Sequence, residues 1–322
     1  MGGTRRSRAS RLTSIAGLVG LVALTATGCS GSEVLRFGWP EGITPQSERM
    51  RDFWTWSVVA SLIIGVIVWA LILWPVVAHR KKSDKLPRQF QYNHFLEVIY
   101  TGVPSIIVVI LFYFTVTTQN YVLAEESTDK VGTDVDVVAF QWNWQFVYNS
   151  YENADGRRVV PRTSDGELVT TTGSTTEIPL LVLPSKTTIA YDLHSRDVIH
   201  SFFVPEFHFK RDVFPYPEKN DQSHTFQNSI DKEGSFVGRC AELCGTYHSG
   251  MNFEVRVLDR DRFDDYMRLR VSTNDDTGKP YTAAEALAQM GRDDPSCGEL
   301  CTPHAVTTSP FNSDRTARTS SK

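Results

Sequence analysis

Cys240-Ala-Glu-Leu-Cys-Gly-Thr-Tyr-His-Ser-Gly-Met251 gathers two thiols, an imidazole and a thioether into one short stretch. Thiolate and thioether sulfur are soft ligands that suit copper or iron–sulfur chemistry, and imidazole also suits copper, so the mixture leans towards copper. Zinc has no need of Met251. A single blue copper ion uses one Cys with His ligands and a weak axial Met, whereas Cys240 and Cys244 together can bridge two copper ions. The same spacing also allows a plain disulfide between them if the segment faces an oxidising compartment.

On either side of this stretch the pattern is that of a β domain. Phe253, Val255 and Val257 alternate with polar residues, as do Val135 and Val137, in the manner of half-buried strands. Residues 180–183 and 187–193 are further strand candidates, and turn signals fall at Asn153-Ala-Asp-Gly156, Ser164-Asp-Gly166 and Thr172-Gly173. Many short strands at such spacing predict an all-β sandwich or barrel over residues 130–270, with a short closing helix at 261–270. Residues 271–322 read as a polar C-terminal tail with a weak helical stretch at 282–290 and a disordered Ser/Thr-rich end. Within that tail, Cys297-Gly-Glu-Leu-Cys301-Thr-Pro-His304 echoes the first loop without its Met, and a disulfide is expected there rather than a second metal site.

Towards the N-terminus the composition changes. Residues 53–78 and 96–124 are two apolar runs long enough to span a bilayer, with Trp54, Trp56, Trp69 and Trp74 near the ends of the first and Pro104 inside the second. Glu97 opens the second run. Between them, residues 79–95 form a loop whose first ten positions hold five Lys or Arg against one Asp, which places the loop in the cytoplasm. A helical hairpin with its turn inside has both ends outside, so the β domain is extracytoplasmic and residues 29–52 form an external segment. Residues 1–28 fit that topology: Arg5, Arg6, Arg8 and Arg11 precede an apolar run and a small-residue exit, the pattern of a cleaved export signal. The small residues before Cys29 are also similar to a bacterial lipobox, in which Cys29 would be lipidated.

The overall charge of -4 excludes no function class by itself. No phosphate-binding or dinucleotide fingerprint and no Cys-x-x-Cys-His haem attachment occurs, and no nucleic-acid partner is expected.

The full pattern Cys-x-Glu-x-Cys-x-x-x-His-x-x-Met resembles the CuA loop of cytochrome c oxidase subunit II. The resemblance spans roughly residues 50–270 and implies a Greek-key cupredoxin domain carried on a two-helix transmembrane hairpin, in a bacterial plasma membrane. It implies a binuclear copper centre bridged by Cys240 and Cys244. One copper would also take His248 and the Glu242 carbonyl, and the other Met251 and His200, the last from Asp197-Val-Ile-His200-Ser. His194, His208 and His224 lack that local pattern and read as surface or loop histidines. Phe140-Gln-Trp142-Asn-Trp144 is similar to the family's aromatic segment, which makes Trp142 the entry point for electrons from cytochrome c, with Asn143 where the family has an aromatic.

The resemblance further implies a magnesium or manganese ion shared with subunit I through the Glu242 carboxylate, and proton entry at Glu97, seven residues before Pro104. The implied function is electron transfer from cytochrome c to haem in subunit I, where oxygen is reduced to water and protons are pumped. Residues 132–259 hold 18 Asp or Glu and 11 Lys or Arg, so 11 - 18 leaves -7, an acidic excess suited to a basic donor, with Asp197 as a possible docking residue. A quinol oxidase subunit would lack the copper ligands, and a nitrous oxide reductase would lack the hairpin. A membrane-tethered CuA electron carrier of another respiratory complex is the remaining alternative.

Overall fold

The computed structural model describes Glu33 and residues 36–307, apart from Lys82, Lys85 and Pro87. The expected export signal and Cys29 lie outside the described residues, as do residues 308–322. The first helix, α1, runs Pro45–Ala78 over 34 residues, about 51 Å at 1.5 Å per residue. It starts eight residues before the apolar run because Thr44 caps it: the Ser47 amide donates to Thr44 Oγ1, and the Thr44 amide donates to Ser47 Oγ. Pro45 then sits at the first helical position, where its missing N–H costs nothing.

Residues 41–53 belong with the β domain rather than with the rest of α1. Ile43 is buried in the core of that domain, its amide donating to the Glu206 carbonyl and its carbonyl accepting from the Asp231 amide. The second helix, α2, is His94–Val122, with Asn93 capping the Leu96 amide. Both helices are long and apolar enough to cross a membrane, and their large side chains stand exposed.

The β domain is built from β1 (Val131–Phe140), β2 (Asn143–Glu152), β3 (Arg158–Val159), β4 (Thr170–Thr172), β5 (Leu180–Pro184) and β6 (Thr188–Ser195). After these come β7 (His200–Val204), β8 (Phe209–Val213), β9 (Thr225–Ser229), β10 (Gly234–Cys240) and β11 (Asn252–Leu258). One sheet has the order β3-β2-β1-β6-β9 with β4 also on β2, and the other β5-β11-β10-β7-β8. Neighbours out of chain order, with β1–β6 and β5–β11 parallel and the remaining pairs antiparallel, give the crossed connectivity of a Greek-key cupredoxin sandwich. Alternation does the sorting: on β1, Val135, Val137 and Ala139 face inwards between half-buried neighbours. Trp144 and Phe146 of one sheet meet Phe202 and Phe253 of the other, with Trp144 and Phe253 centroids 5.1 Å apart and Phe202 and Phe253 4.8 Å apart.

The chain beyond residue 271 is not a loose tail up to residue 307. After α3 (Arg260–Val271) come a small ribbon of β12 (Thr273–Asn274) and β13 (Lys279–Pro280), then α4 (Ala283–Asp293), which opens with a Thr282/Glu285 capping box and buries Ala286, Leu287 and Met290. A 3-10 turn, Pro295–Cys301, follows and carries a Cys297–Cys301 disulfide. The reason lies in β11, which is buried on both faces. Its outward side chains, Glu254 and Arg256, pair with each other at zero exposure. Arg256 also donates to the carbonyls of Leu300, Thr302 and His304, and Glu254 Oε2 accepts the amides of Val306 and Thr307. A buried ion pair tolerates its site only with its remaining donors and acceptors met, and residues 300–307 meet them.

Candidate metal centre

The centre is assembled where the ends of β7 and β10 meet. Cys240 closes β10 opposite Phe202 of β7, the Cys240 amide donates to the Met251 carbonyl, and the Ala241 amide donates to the Ser201 carbonyl. These bonds pin both ends of the loop 241–251 beside His200, the first residue of β7. The two thiol sulfurs stand 3.7 Å apart, buried and unbonded, so the disulfide alternative is not what the fold forms here.

His200 Nδ1 lies 3.8 Å from Cys240 Sγ, and the Glu242 carbonyl 3.2 Å from the same sulfur. His248 Nδ1 lies 3.5 Å from Cys244 Sγ, with Met251 Sδ at 3.8 Å. His200 and Met251 are fully buried. Among the described residues, His200, Cys240 and Cys244 form a cluster whose donor atoms all lie within 4.8 Å of one another, a group able to hold a metal ion.

The electrostatics suit a cation. Burial raises the Cys240 thiol, but contacts from His200, the Glu242 and Ser201 backbone and His248 outweigh it and bring it down to about 7. Burial and then the neighbouring Cys240 push Cys244 up to about 12. Two thiols so close share one proton and resist carrying two negative charges, which a cation between them would relieve. Soft sulfur with imidazole and one carbonyl is also the donor set that copper favours.

Asp197 orients the buried histidine. His200 Nε2 donates to Asp197 Oδ1 at 2.8 Å, which leaves Nδ1 facing the sulfurs. The same carboxylate accepts from the Gln141 and Val198 amides, each at 2.7 Å. Burial raises the Asp197 carboxyl, but these bonds together hold it below its ordinary value.

Trp142, half-buried, touches the loop directly. Its indole Nε1 donates to the Cys244 carbonyl at 3.1 Å, and Gln141 Nε2 donates to the same oxygen at 2.8 Å. Gly245 makes room: it has φ +122°, and a Cβ there would stand 3.1 Å from the Trp142 ring. Tyr247, largely exposed, packs edge-on against Trp142 with centroids 4.9 Å apart. Trp144 is wholly buried behind them, and its Nε1 donates to the Met251 carbonyl.

The family model for the periplasmic domain of cytochrome c oxidase subunit II matches residues 133–258, and that for its transmembrane domain matches residues 32–117. The chain belongs to the cytochrome c oxidase subunit II family. It is similar to a probable cytochrome c oxidase subunit 2 of Nocardia farcinica, 45% identical over 91% of this chain and 85% of the relative. The cytochrome c oxidase subunit 2 of Corynebacterium glutamicum is 42% identical over 88% of this chain and 86% of that one. Among solved structures, the periplasmic domain of cytochrome oxidase subunit II of Bradyrhizobium japonicum is 23% identical, covering 43% of this chain and 93% of that chain at a TM-score of 0.32.

As a member of the cytochrome c oxidase subunit II family, this chain is a membrane protein with a periplasmic domain and a subunit of a terminal oxidase. The fold brings His200, Cys240, the Glu242 carbonyl, Cys244, His248 and Met251 together and sets Trp142 against them. Glu97 belongs to another part of the subunit, the first turn of α2. There its Oε1 accepts from the Asn93 amide at 3.1 Å, and His94 Nδ1 lies 3.3 Å from Oε2.

Sequence reasoning missed Gln141 and Gly245. Gln141 has no signal of its own, because its contact with Cys244 spans 103 positions. Asp197, first read as a docking residue, has its carboxylate occupied by His200 and two amides. His208 is bound to the Ser47 carbonyl, whereas His194 and His224 stand together near two carboxylates.

Proposed function

We propose that this subunit receives electrons from cytochrome c on its periplasmic domain and delivers them to haem in subunit I, where oxygen is reduced to water and protons are pumped. The carrying observation is the pair of buried, unbonded thiols 3.7 Å apart, flanked by His200, His248, Met251 and the Glu242 carbonyl. Those residues would hold a binuclear copper centre, CuA, with Cys240 and Cys244 bridging. When bound, the copper pair supplies one-electron redox chemistry at low reorganisation.

The residues around it do the rest. Asp197 fixes the His200 ring, so that the imidazole needs no reorientation. Trp142 provides a continuous path from the surface to the Cys244 carbonyl through its indole N–H. The tightly hydrogen-bonded loop and the buried Trp144 keep water from the sulfurs. Charge complementarity between a basic donor and the acidic periplasmic domain steers the encounter. The Glu242 backbone oxygen faces Cys240, and its carboxylate would take part in a magnesium or manganese site shared with subunit I. Glu97, at the cytoplasmic start of α2, admits protons. The domain boundaries proposed with this reading are a cleaved signal over 1–28 with Cys29 lipidated, a cytoplasmic basic loop over 79–95 and insertion in the plasma membrane.

The test is purification of the full chain from its native membrane, with haem content and oxygen uptake driven by reduced cytochrome c as readouts. Stoichiometric haem and oxygen uptake are expected. A copper-bearing chain recovered without haem would identify a tethered electron carrier instead.

A further inference from the structure

Between β4, the end of α3 and the start of α4, the periplasmic domain holds an open cavity of about 320 Å³, on the scale of a small-molecule site. None of the metal-centre residues lines it. One wall is Arg270, in the last turn of α3 and only 3% exposed. A guanidinium taken so far out of water calls for a negative partner. Arg270 has none among the described residues, and every acceptor it reaches is neutral. Its Nε donates to the Tyr281 carbonyl at 3.1 Å and its Nη2 to the Thr170 carbonyl at 2.7 Å. Its Nη1 donates to Thr171 Oγ1 at 3.0 Å and to the Tyr266 hydroxyl at 2.6 Å. The Tyr266 ring, with its centroid 5.6 Å away, adds a cation–π contact but no countercharge.

Hydrogen-bond donors are left over along the same wall. A guanidinium carries five N–H groups, and the four bonds above leave one on Nη2. Thr171, whose hydroxyl oxygen accepts from Arg270, still has its own hydrogen to give. Ala283 and Ala284, the first two residues of α4, also line the cavity. The capping box serves the Thr282 and Glu285 amides but neither of theirs, which remain among the unpaired donors of a helix start. Glu177 is the carboxylate of the lining and stands exposed, away from the buried guanidinium's polar partners.

We propose that this cavity binds a small phosphate-bearing anion, with Arg270 supplying the countercharge and Thr171, Ala283 and Ala284 supplying hydrogen bonds. With one N–H to spare, Arg270 cannot form the two-bond fork that grips a carboxylate. A phosphate group instead offers several oxygens to donors spread over β4, α3 and α4, and the first amides of a helix favour it. The cavity has the room of about ten waters, enough for a phosphomonoester as well as the free ion. Residues 303–305 line it too, so occupancy would strengthen the hold of the C-terminal segment on the sandwich.

The test uses the full chain in detergent, its copper centre filled, in a phosphate-free buffer. It is titrated calorimetrically with inorganic phosphate and, separately, with glycerol 3-phosphate. One site per chain is expected. Tighter binding of the ester identifies a phosphomonoester as the occupant, and equal or weaker binding identifies free phosphate. Arg270→Met should lower the affinity at least about tenfold. Arg270 also ties α3 to β4, so Ala283→Pro provides a variant that spares the fold. Thr282 has φ -69° and ψ 166°, the extended backbone that a following proline requires, and proline suits the first position of a helix. Only an amide donor is lost, and affinity should fall about threefold or more with the optical spectrum of the copper centre unchanged. No binding of either anion at millimolar concentration, or undiminished affinity in Ala283→Pro, overturns the proposal.

Discussion

Asp197 is the residue through which His200 is committed to the metal centre. Its carboxylate takes one ring nitrogen at 2.8 Å. Asp197→Ala should therefore weaken copper retention by about 10- to 100-fold while leaving the thiols in place, as measured by copper content after dialysis against a graded chelator. Unchanged retention would show that the buried position of His200 suffices.

Trp142 calls for a kinetic measurement. Trp142→Phe removes the indole N–H to Cys244 but keeps most of the ring, so reduction of the copper centre by cytochrome c should slow much more than donor affinity falls. Stopped-flow reduction across ionic strengths separates the two, because affinity carries the salt dependence. Wild-type entry rates in the variant would remove Trp142 from the path. That His200, Cys240, Cys244, His248, Met251 and Trp142 come together was legible in the sequence because motif chemistry is local. Asp197's bond to His200 lay within the same short segment, but Gln141 and Gly245 act across about a hundred positions and carry no pattern.

Among the elements, β11 shows where alternation misleads. Phe253, Val255 and Val257 with polar residues between them predict one wet face, yet Glu254 and Arg256 are as buried as their neighbours. Periodicity reports which residues share a face, not what covers it. What covers this one is residues 300–307, polar enough to read as a tail and held by backbone groups that have no sequence signature. Arg256→Met should leave Glu254 charged and unpaired in the interior and cost about 3–5 kcal/mol, seen as a large drop in melting temperature. Adding Glu254→Gln to Arg256→Met should recover part of the loss. A melting temperature unaffected by Arg256→Met would mean that the segment is not held by this pair.

The start of α2 poses a similar choice. Glu97 caps the helix through the Asn93 amide, a structural task beside the proton entry proposed for it. Glu97→Gln keeps the accepting oxygen and removes the ionisable group. Slower turnover in a well-assembled Glu97→Gln complex is expected. Normal turnover there would reduce Glu97 to a cap, worth about 1 kcal/mol.

For the whole molecule, sequence and structure meet in a division of labour: two apolar helices for the membrane, and a two-sheet periplasmic domain whose loops bring distant donors to one end. The fold class was readable because hydropathy and alternation are long-range averages. The start of α1 after Thr44 and the docking of residues 271–307 were not, since each depends on single capping or buried polar contacts. The central claim is that Cys240 and Cys244 bridge two coppers. The most direct measurement is electron paramagnetic resonance with copper analysis on the copper-loaded full chain, beside Cys240→Ser. Two coppers per chain and one unpaired electron shared equally between two nuclei are expected, with the shared signal gone in Cys240→Ser. A single-copper signal in the unsubstituted chain, or an unaltered spectrum in Cys240→Ser, would contradict the account.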